Sequence, residues 1–325
     1  MNSRPADQVI NILEGHNFSV CDCIGARSCF DIFAKREKIF LIKILMNIEG
    51  FTKESAVQLK LAAFSLSAVP MIIAKRMKNA NLRDGVIYTR YNINAFTPRT
   101  LEIMLEENTP LIYSVRGDYV VDVGCELLKN LRSDVKMTMQ DLADELKISK
   151  QSIYRYEHTG IIPLNIVSKI VEFFNNFDES DIEFKNPIFD REIEIEIEGS
   201  GIKKQDDDDA ANKQEPAHGN LSDLMKEVIN EFKNMGCSTT QVNAPFDILV
   251  KGEKQNEELI FTVVSKDPRT IKKKIKIVTE ISDMAKGYKV CVSEKRQNID
   301  IVFIRPDELK EIHNSRELIK LLLES

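Results

Sequence analysis

The chain has 325 residues, 43% of them hydrophobic and 30% charged, which is the composition of a soluble globular protein of two or three domains. No apolar run approaches the roughly 20 residues that a membrane-spanning helix needs, and the first residues have no signal-peptide pattern. We therefore expect a cytoplasmic protein with no membrane partner. Its six cysteines form no C-x-x-C pair and it has four histidines, which favours reduced thiols over a metal or cofactor site, although Cys21, Cys23 and Cys29 lie close together.

The net charge of -6 is unevenly distributed along the chain. Residues 178–209 contain 13 acidic and four basic side chains, a net of -9, so the rest of the chain carries about +3. The acidic total therefore does not exclude a nucleic-acid partner for the remainder.

From the N-terminus, residues 7–107 follow an order of segments that residues 221–325 repeat. Each begins with an amphipathic helix, a short strand, a strand that starts with FDI and a third apolar strand. A long helix, two buried strands and a closing helix follow. We interpret these as two copies of one α/β (α+β) domain, a first copy at 1–117 and a second copy at 221–325. The order resembles the core of restriction-endonuclease-like domains.

That resemblance raises the question of a nuclease metal site. Such a site requires an aspartate, a second carboxylate and a lysine around one cation. The first copy has Asp31, but its acid-x-Lys position reads Leu41-Ile42-Lys43. The second copy has Asp247, and the matching strand reads Phe261-Thr262-Val263. We predict that both copies are inactive, that the two aspartates cap strand ends or turns, and that Lys43 has an exposed or snorkelling side chain. The prediction is therefore no catalytic residue and no metal ligand.

Between the copies, residues 118–124 read as a strand that leads into a helical stretch to residue 177. Thr138, with Asp141 three positions later, predicts a capping box for a helix with an apolar stripe at Leu142 and Leu146. Ser149 is placed to cap a second helix, residues 149–158. Two short helices with this spacing form a helix-turn-helix.

The spacing from Thr138 to Gly160 resembles the phage-repressor (Cro/XRE) class, and the match extends over about fifty residues. The resemblance implies that helix 149–158 reads the major groove, with Gln151 on adenine and Lys150 or Arg155 on guanine. It also pairs Glu157 with Arg132. Met139 and Lys147 depart from the class, which usually has glutamine and glycine there. The expected DNA-binding residues are Thr138, Gln140, Ser149, Lys150, Gln151, Ser152, Tyr154 and Arg155.

The predicted organisation is thus the first copy, an all-α helix-turn-helix domain at 118–178 (motif about 139–158), an acidic strand and flexible linker at 179–220, and the second copy. This arrangement resembles an archaeal family of HTH-type transcriptional regulatory proteins, which implies sequence-specific binding of double-stranded DNA and a role in transcription. Because repressor-class domains generally read two half-sites, we also expect a homodimer, with the transcription machinery as a further partner. Two alternatives stay open: a metal-dependent nuclease or DNA-processing factor, and a transcription-apparatus bridging protein. The α/β copies would serve for dimerisation or sensing, or pack against one another within one chain.

Overall fold

The computed structural model describes residues 4–26, 28–106, 112–115, 117–174, 223–252, 258–265, 272–295 and 301–324. The predicted acidic strand and linker at 179–220 lie outside these residues. Contacts divide the chain into two compact units. The first unit comprises Met1–Ile44, Phe51–Met71 and Glu194–Ser325, and the second comprises Leu45–Gly50 and Ile72–Ile193. Within the described residues, no helix has the length and apolar character to cross a bilayer.

The first unit begins with α1 (Pro5–Gly15), β1 (Ser19–Asp22), β2 (Ile32–Lys35), β3 (Ile39–Asn47) and α2 (Lys53–Ser65), and β4 (Ala68–Met77) follows. The strands β1, β2 and β3 pair antiparallel in sequence order, and β4 is the next strand of that sheet. α2 is capped by Thr52, whose hydroxyl accepts a hydrogen bond from the Ser55 amide at 3.2 Å.

The second unit continues the chain with a 3-10 turn (Ile48–Gly50), the later part of β4, β5 (Ala80–Asn81), β6 (Val86–Arg90), β7 (Ile93–Phe96), α3 (Pro98–Leu105), β8 (Ile112–Val115), β9 (Asp118–Asp122), α4 (Leu127–Asp134), α5 (Met139–Leu146), α6 (Lys150–Thr159), β10 (Ile161–Pro163) and α7 (Leu164–Phe173). Its strands run in the order β4-β7-β6-β8-β9-β10, and β5 pairs with β4. The helices α4 to α7 share one apolar core with β9 and β10.

The second copy belongs to the first unit. Its elements are α8 (Asp223–Asn234), β11 (Ser238–Gln241), β12 (Ile248–Lys251), β13 (Leu259–Val264), α9 (Lys272–Ala285), β14 (Tyr288–Val292), β15 (Val302–Ile304), α10 (Pro306–Lys310) and α11 (Ser315–Glu324). Its sheet order is β11-β12-β13-β14-β15. The first three strands pair antiparallel, and β14 pairs parallel with both β13 and β15. The order of helix, three-stranded meander, long helix and buried strand is the same in α1 to β4 and in α8 to β14, as the sequence repeat predicts.

The two copies pack against each other inside the first unit, and their contacts run in both directions. α9 of the second copy lies on β1 and β2, while α2 of the first copy lies on β11. Side-chain hydrogen bonds run both ways as well: Lys35 Nζ donates to the Met284 carbonyl at 2.8 Å, and Ser65 Oγ donates to Thr240 Oγ1 at 3.0 Å. Dimerisation, sensing and packing within one chain were the roles left open for the two copies. The structure shows packing within one chain.

Candidate nucleic-acid interface

The start of α5 is fixed by a reciprocal cap. The Thr138 hydroxyl accepts from the Asp141 amide at 3.2 Å, and the Asp141 carboxylate accepts from the Thr138 amide at 2.8 Å. These hydrogen bonds from Thr138 stabilise the charged carboxylate, so they lower the pKa of Asp141. The capping box predicted from the sequence is confirmed.

The turn between α5 and α6 contains a lysine in a strained conformation. Lys147 caps α5 with φ 56° and ψ 48°, in the left-handed region that glycine adopts more easily. Ser149 then caps α6 by accepting from the Ser152 amide at 3.1 Å. The expectation that Ser149 begins the second helix is confirmed. Lys147 stands where the repressor class usually has glycine, and it takes the left-handed conformation at a cost of roughly 1 kcal/mol.

One buried ion pair holds α4 against α6. Arg132 Nε lies 2.7 Å from Glu157 Oε1, and Arg132 Nη2 lies 3.2 Å from Glu157 Oε2. The Glu157 side chain is 2% exposed, so its charge depends on this two-point contact. The same hydrogen bonds raise the pKa of Arg132. The predicted Arg132–Glu157 pair is confirmed, and it leaves Arg132 engaged within the fold.

The apolar core around these helices largely follows the sequence pattern. Leu142 and Leu146 of α5 meet Ile153 and Tyr156 of α6, and all four are buried. Phe173 lies outside this core, because it stands at the C-terminal end of α7 and is 37% exposed.

The expected recognition residues lie together on the outer face of α6. Lys150, Gln151, Tyr154 and Arg155 are all exposed, and the spacings of three and four residues among them place them on one face of the helix. Within the described residues, Lys150 and Gln151 make no hydrogen bond or ion pair through their side chains. Tyr154 stacks on His158 with ring centroids 3.9 Å apart, and the Arg155 guanidinium lies 5.2 Å from the centre of the Tyr156 ring.

The other expected contact residues have local partners. The Thr138 hydroxyl donates to Asp141 Oδ2 at 2.7 Å, Gln140 Nε2 donates to Asp144 Oδ1 at 2.9 Å, and the Ser149 and Ser152 hydroxyls lie 2.9 Å apart. Ser152 is half-buried, whereas Thr138, Gln140 and Ser149 are exposed. These four side chains stabilise the helix starts, and their contact with DNA stays a prediction.

Two glycines attach the C-terminal end of α6 to the sheet of the second unit. Gly160 ends α6 at φ 69°, and a Cβ atom there would lie 2.6 Å from the backbone carbon of Gly124. The Gly160 carbonyl accepts from the Val123 amide at 2.9 Å, and the next three residues form β10 on the edge of β9. This attachment was not predicted from the sequence, although the glycines before α4 and after α6 could have indicated it.

The nuclease-like aspartate of the first copy is engaged by a lysine. Lys43 Nζ lies 3.0 Å from Asp31 Oδ1 and also donates to the Ser28 carbonyl at 3.1 Å, while the Ile44 amide donates to Asp31 Oδ2 at 2.8 Å. Of the two alternatives for Lys43, an exposed or a snorkelling side chain, the exposed one was wrong, because the side chain is 21% exposed and its ammonium is paired. The Asp31 carboxylate draws it inward.

The second copy reaches the same arrangement with a lysine from another element. Lys274 Nζ, on α9, lies 2.6 Å from Asp247 Oδ1, and the Val264 amide donates to Asp247 Oδ2 at 2.9 Å. The absence of a lysine on the matching strand was predicted, but no sequence pattern indicated that a helix would supply one. The idea that both aspartates only cap strand ends or turns was therefore incomplete.

Among the residues that the structure describes, neither aspartate has the neighbours that a divalent cation requires. The residues at the second-carboxylate position, Leu41 and Phe261, are fully buried and apolar. Nowhere in the described part of the chain do three or more His, Cys, Asp or Glu side chains converge as metal ligands. Burial raises the pKa of the nearby thiols Cys29 and Cys291 to about 12, so both stay protonated at neutral pH.

Comparison with known proteins gives two results. Residues 2–111 match the family model described as a PD-(D/E)XK superfamily domain. Full-length relatives bear the printed name "Putative HTH-type transcriptional regulatory protein". One from Methanocaldococcus jannaschii is 32% identical over 96% of this chain and 94% of its own length. Relatives from Methanococcus maripaludis strain C7 and from Pyrococcus horikoshii are each 30% identical over 97% of this chain, covering 95% and 97% of their own lengths. No solved structure matches the chain.

Proposed function

The chain belongs to the archaeal family of HTH-type transcriptional regulatory proteins, and on this premise we propose that it binds DNA sequence-specifically through a Cro/XRE-type helix-turn-helix formed by α5 and α6. The observation that carries the proposal is the exposed face of α6, where Lys150, Gln151, Tyr154 and Arg155 lie together above a buried core. A rigid helix with a polar outer face of this kind fits the major groove.

The chemistry of this face suits direct readout of bases. The Gln151 amide offers one donor and one acceptor, the combination that adenine N7 and N6 complement. Lys150 and Arg155 supply donors for guanine O6 and N7, and the Tyr154 hydroxyl is placed to contact a phosphate. Residues 147–156 contain three cationic side chains and no anionic one, which favours approach to the phosphate backbone.

Selection of bound sequences from a random duplex library, with the full chain, tests this function. We expect an enriched motif, and a palindrome with half-sites about one helical turn apart if the protein acts as the proposed homodimer. The Gln151→Ala/Arg155→Ala variant should bind that motif about 5- to 150-fold more weakly for each base that it no longer recognises, since a good bidentate pairing contributes about 1–3 kcal/mol. Lys129→Ala, which removes a positive charge from α4 without touching α6, serves as the matched control.

Two outcomes would contradict the proposal. Retention of the motif by the folded double variant would exclude α6 as the reading helix. Failure of the unaltered protein to enrich any sequence, together with capture of basal transcription factors, would favour the bridging-protein alternative.

The PD-(D/E)XK match favours a second candidate, a metal-dependent nuclease, and we propose that this chain does not act as one. The support is chemical: Leu41 and Phe261 replace the carboxylate that would complete each site. Incubation of the full chain with duplex, flap and four-way-junction DNA in Mg²⁺ or Mn²⁺ is the direct measurement. Cleavage that Asp31→Ala or Asp247→Ala abolishes would establish the nuclease instead.

A further inference from the structure

In both α/β copies the aspartate makes the same hydrogen bonds with the backbone. The Asp31 amide donates to the Ile42 carbonyl and the Asp247 amide donates to the Thr262 carbonyl, each at 2.8 Å. In each copy the Oδ2 atom accepts from the amide two residues beyond that carbonyl, on Ile44 or Val264. The two aspartates therefore make the same set of backbone hydrogen bonds. This match aligns Lys43 of β3 with Val263 of β13.

The cationic partner, by contrast, comes from a different element in each copy. Val263 is fully buried and apolar, so the third strand of the second copy has no charge to offer. Lys274 of α9 supplies it, and its ammonium reaches Oδ1, the same oxygen that Lys43 occupies in the first copy. In both pairs the side chains are only about one-fifth exposed, with values of 19–23%.

Each ammonium lies where a cation would otherwise contact the carboxylate. Mg²⁺ binds oxygen ligands at roughly 2.0–2.1 Å and requires several of them in octahedral geometry. Here Oδ1 faces an ammonium, Oδ2 accepts a backbone hydrogen bond, and a second carboxylate is replaced by Leu41 or Phe261. Among the described side chains a divalent ion would meet like charge and too few oxygens, so they do not fit the metal of this fold family.

The pairs also lie beside the contacts that join the two copies. Lys43 holds the Ser28 carbonyl, and the next residue, Cys29, donates its amide to the Asn243 carbonyl of the second copy at 2.6 Å. Next to Lys274, Lys273 Nζ donates to the Ile24 carbonyl of the first copy at 3.1 Å. Each pair therefore positions a segment that reaches across to the other copy.

From this geometry we infer that neither copy holds the divalent cation of its fold family, and that a lysine ammonium alone neutralises each aspartate. The Asp31–Lys43 and Asp247–Lys274 pairs are structural ion pairs that stabilise the association of the two copies without metal. This role is independent of DNA recognition by α6. What both copies have in common is an aspartate neutralised by an ammonium, and the sequence position of the lysine differs.

Thermal unfolding of the full chain tests the inference. In EDTA, Mg²⁺ or Mn²⁺ the Tm should agree within about 1 °C, because no ion binds preferentially to the folded pairs. Asp31→Asn, Lys43→Met, Asp247→Asn and Lys274→Met should each lower the Tm by at least about 3 °C, since each leaves a largely buried partner unsatisfied. Each double variant of one pair should lose less than the sum of its single variants. Lys276→Met, on an exposed lysine of the same helix, should leave the Tm unchanged.

Direct Mn²⁺ binding, followed by electron paramagnetic resonance on the unaltered protein, covers the case in which a variant fails to fold. Absence of binding, or binding that both asparagine variants retain, agrees with the inference. A rise in Tm with Mg²⁺ or Mn²⁺ above about 3 °C that Asp31→Asn or Asp247→Asn abolishes, or Mn²⁺ binding that either variant abolishes, would overturn it. Strict additivity within both pairs would also overturn it.

Discussion

Glu157 shows how one side chain can govern the placement of α6. Its carboxylate is buried among α4, α6 and the turn before α5, and a single guanidinium satisfies both of its oxygens. The third nitrogen of Arg132, Nη1, donates to the Met137 carbonyl at 2.9 Å, so Arg132 also fixes the segment that precedes α5. Loss of Arg132 would leave a buried charge without a partner.

We predict that Arg132→Met lowers the free energy of unfolding by about 3 kcal/mol, the usual cost of breaking a buried pair from one side. Urea denaturation followed by circular dichroism measures it. Lys129→Met on the same helix is the control, because its contact with Glu126 is exposed and should contribute less than about 1 kcal/mol. Similar losses in both variants would contradict the assigned role of Glu157.

At Lys147 the expected change is in the opposite direction. Lys147→Gly should raise the free energy of unfolding by about 0.5–1 kcal/mol, because glycine adopts the left-handed conformation without a clashing Cβ. The same substitution at Lys129, in the middle of α4, should lower it by a similar amount. A destabilised Lys147→Gly variant would show that the lysine side chain contributes more than its backbone conformation costs.

The cap of α5 predicts a dependence on pH. Because hydrogen bonds from Thr138 lower the pKa of Asp141 in the folded state, the carboxylate stabilises the fold above the ordinary aspartate pKa of 3.8, and this contribution is lost as the pH falls through the folded value. Denaturant titrations of the original chain and of Asp141→Asn should therefore differ at pH 7 and converge below pH 3.8. A difference that persists unchanged to pH 2 would assign the effect of Asp141 to something other than its charge.

At the scale of the elements, α6 is held at three places: its cap at Ser149, its core side chains and its C-terminal attachment to β9. The last depends on Gly160, whose α-carbon hydrogen faces Gly124 where any larger side chain would collide with backbone. The helix that we propose to enter the major groove is thereby fixed to the sheet, and a change in the sheet edge would reorient it.

Gly160→Ala should destabilise the second unit by at least about 2 kcal/mol, since it adds a backbone collision to the left-handed conformation. Gly85→Ala separates the two effects: Gly85 has φ 75° with open space around its α-carbon, so only the conformational cost of about 1 kcal/mol applies. Equal losses at the two positions would mean that the backbone near Gly124 gives way freely.

Structural features were predictable where the residues that determine them lie close together in the sequence. The caps at Thr138 and Ser149 and the pair of Arg132 with Glu157 lie in one short motif, and they were predictable from it. The strands β7, β8 and β10 have only three or four residues each and were missed, whereas the equally short β1 and β15 were predicted because they belong to the repeated order of segments. Lys274 was missed for another reason, since a helix 27 residues beyond Asp247 reaches it only through tertiary folding.

At the scale of the whole molecule, the first unit joins the beginning and the end of the chain. Cys21 of β1 is 1% exposed, and its Sγ lies 3.2 Å from Glu280 Oε2 on α9. In the other direction, Gln58 of α2 accepts from the Asn243 amide at 2.8 Å. Because these surfaces are covered within the chain, the homodimer proposed for DNA binding has to form through others.

Two separately expressed fragments, residues 1–178 and 221–325, should therefore associate without a covalent link. Co-purification through a tag on one fragment and co-elution in size-exclusion chromatography measure this. Cys21→Trp, which inserts an indole under α9, should separate them, whereas Ser19→Trp on an exposed position of β1 should not. Independent elution of the unaltered fragments would show that the copies stay together only because the chain connects them.

Lys43 and Lys274 come from different elements, and this difference bears on how mutations act on two copies that one gene encodes. In a symmetric homodimer one gene encodes both halves, so every mutation appears in both at once and a lysine cannot leave one strand while staying on the other. After duplication within a single gene, each half accumulates substitutions separately and needs to remain compatible only with its fixed neighbour. Two copies in one chain can therefore differ in where the lysine lies, as Lys43 on a strand and Lys274 on a helix do, whereas a symmetric dimer would carry each such change in both halves.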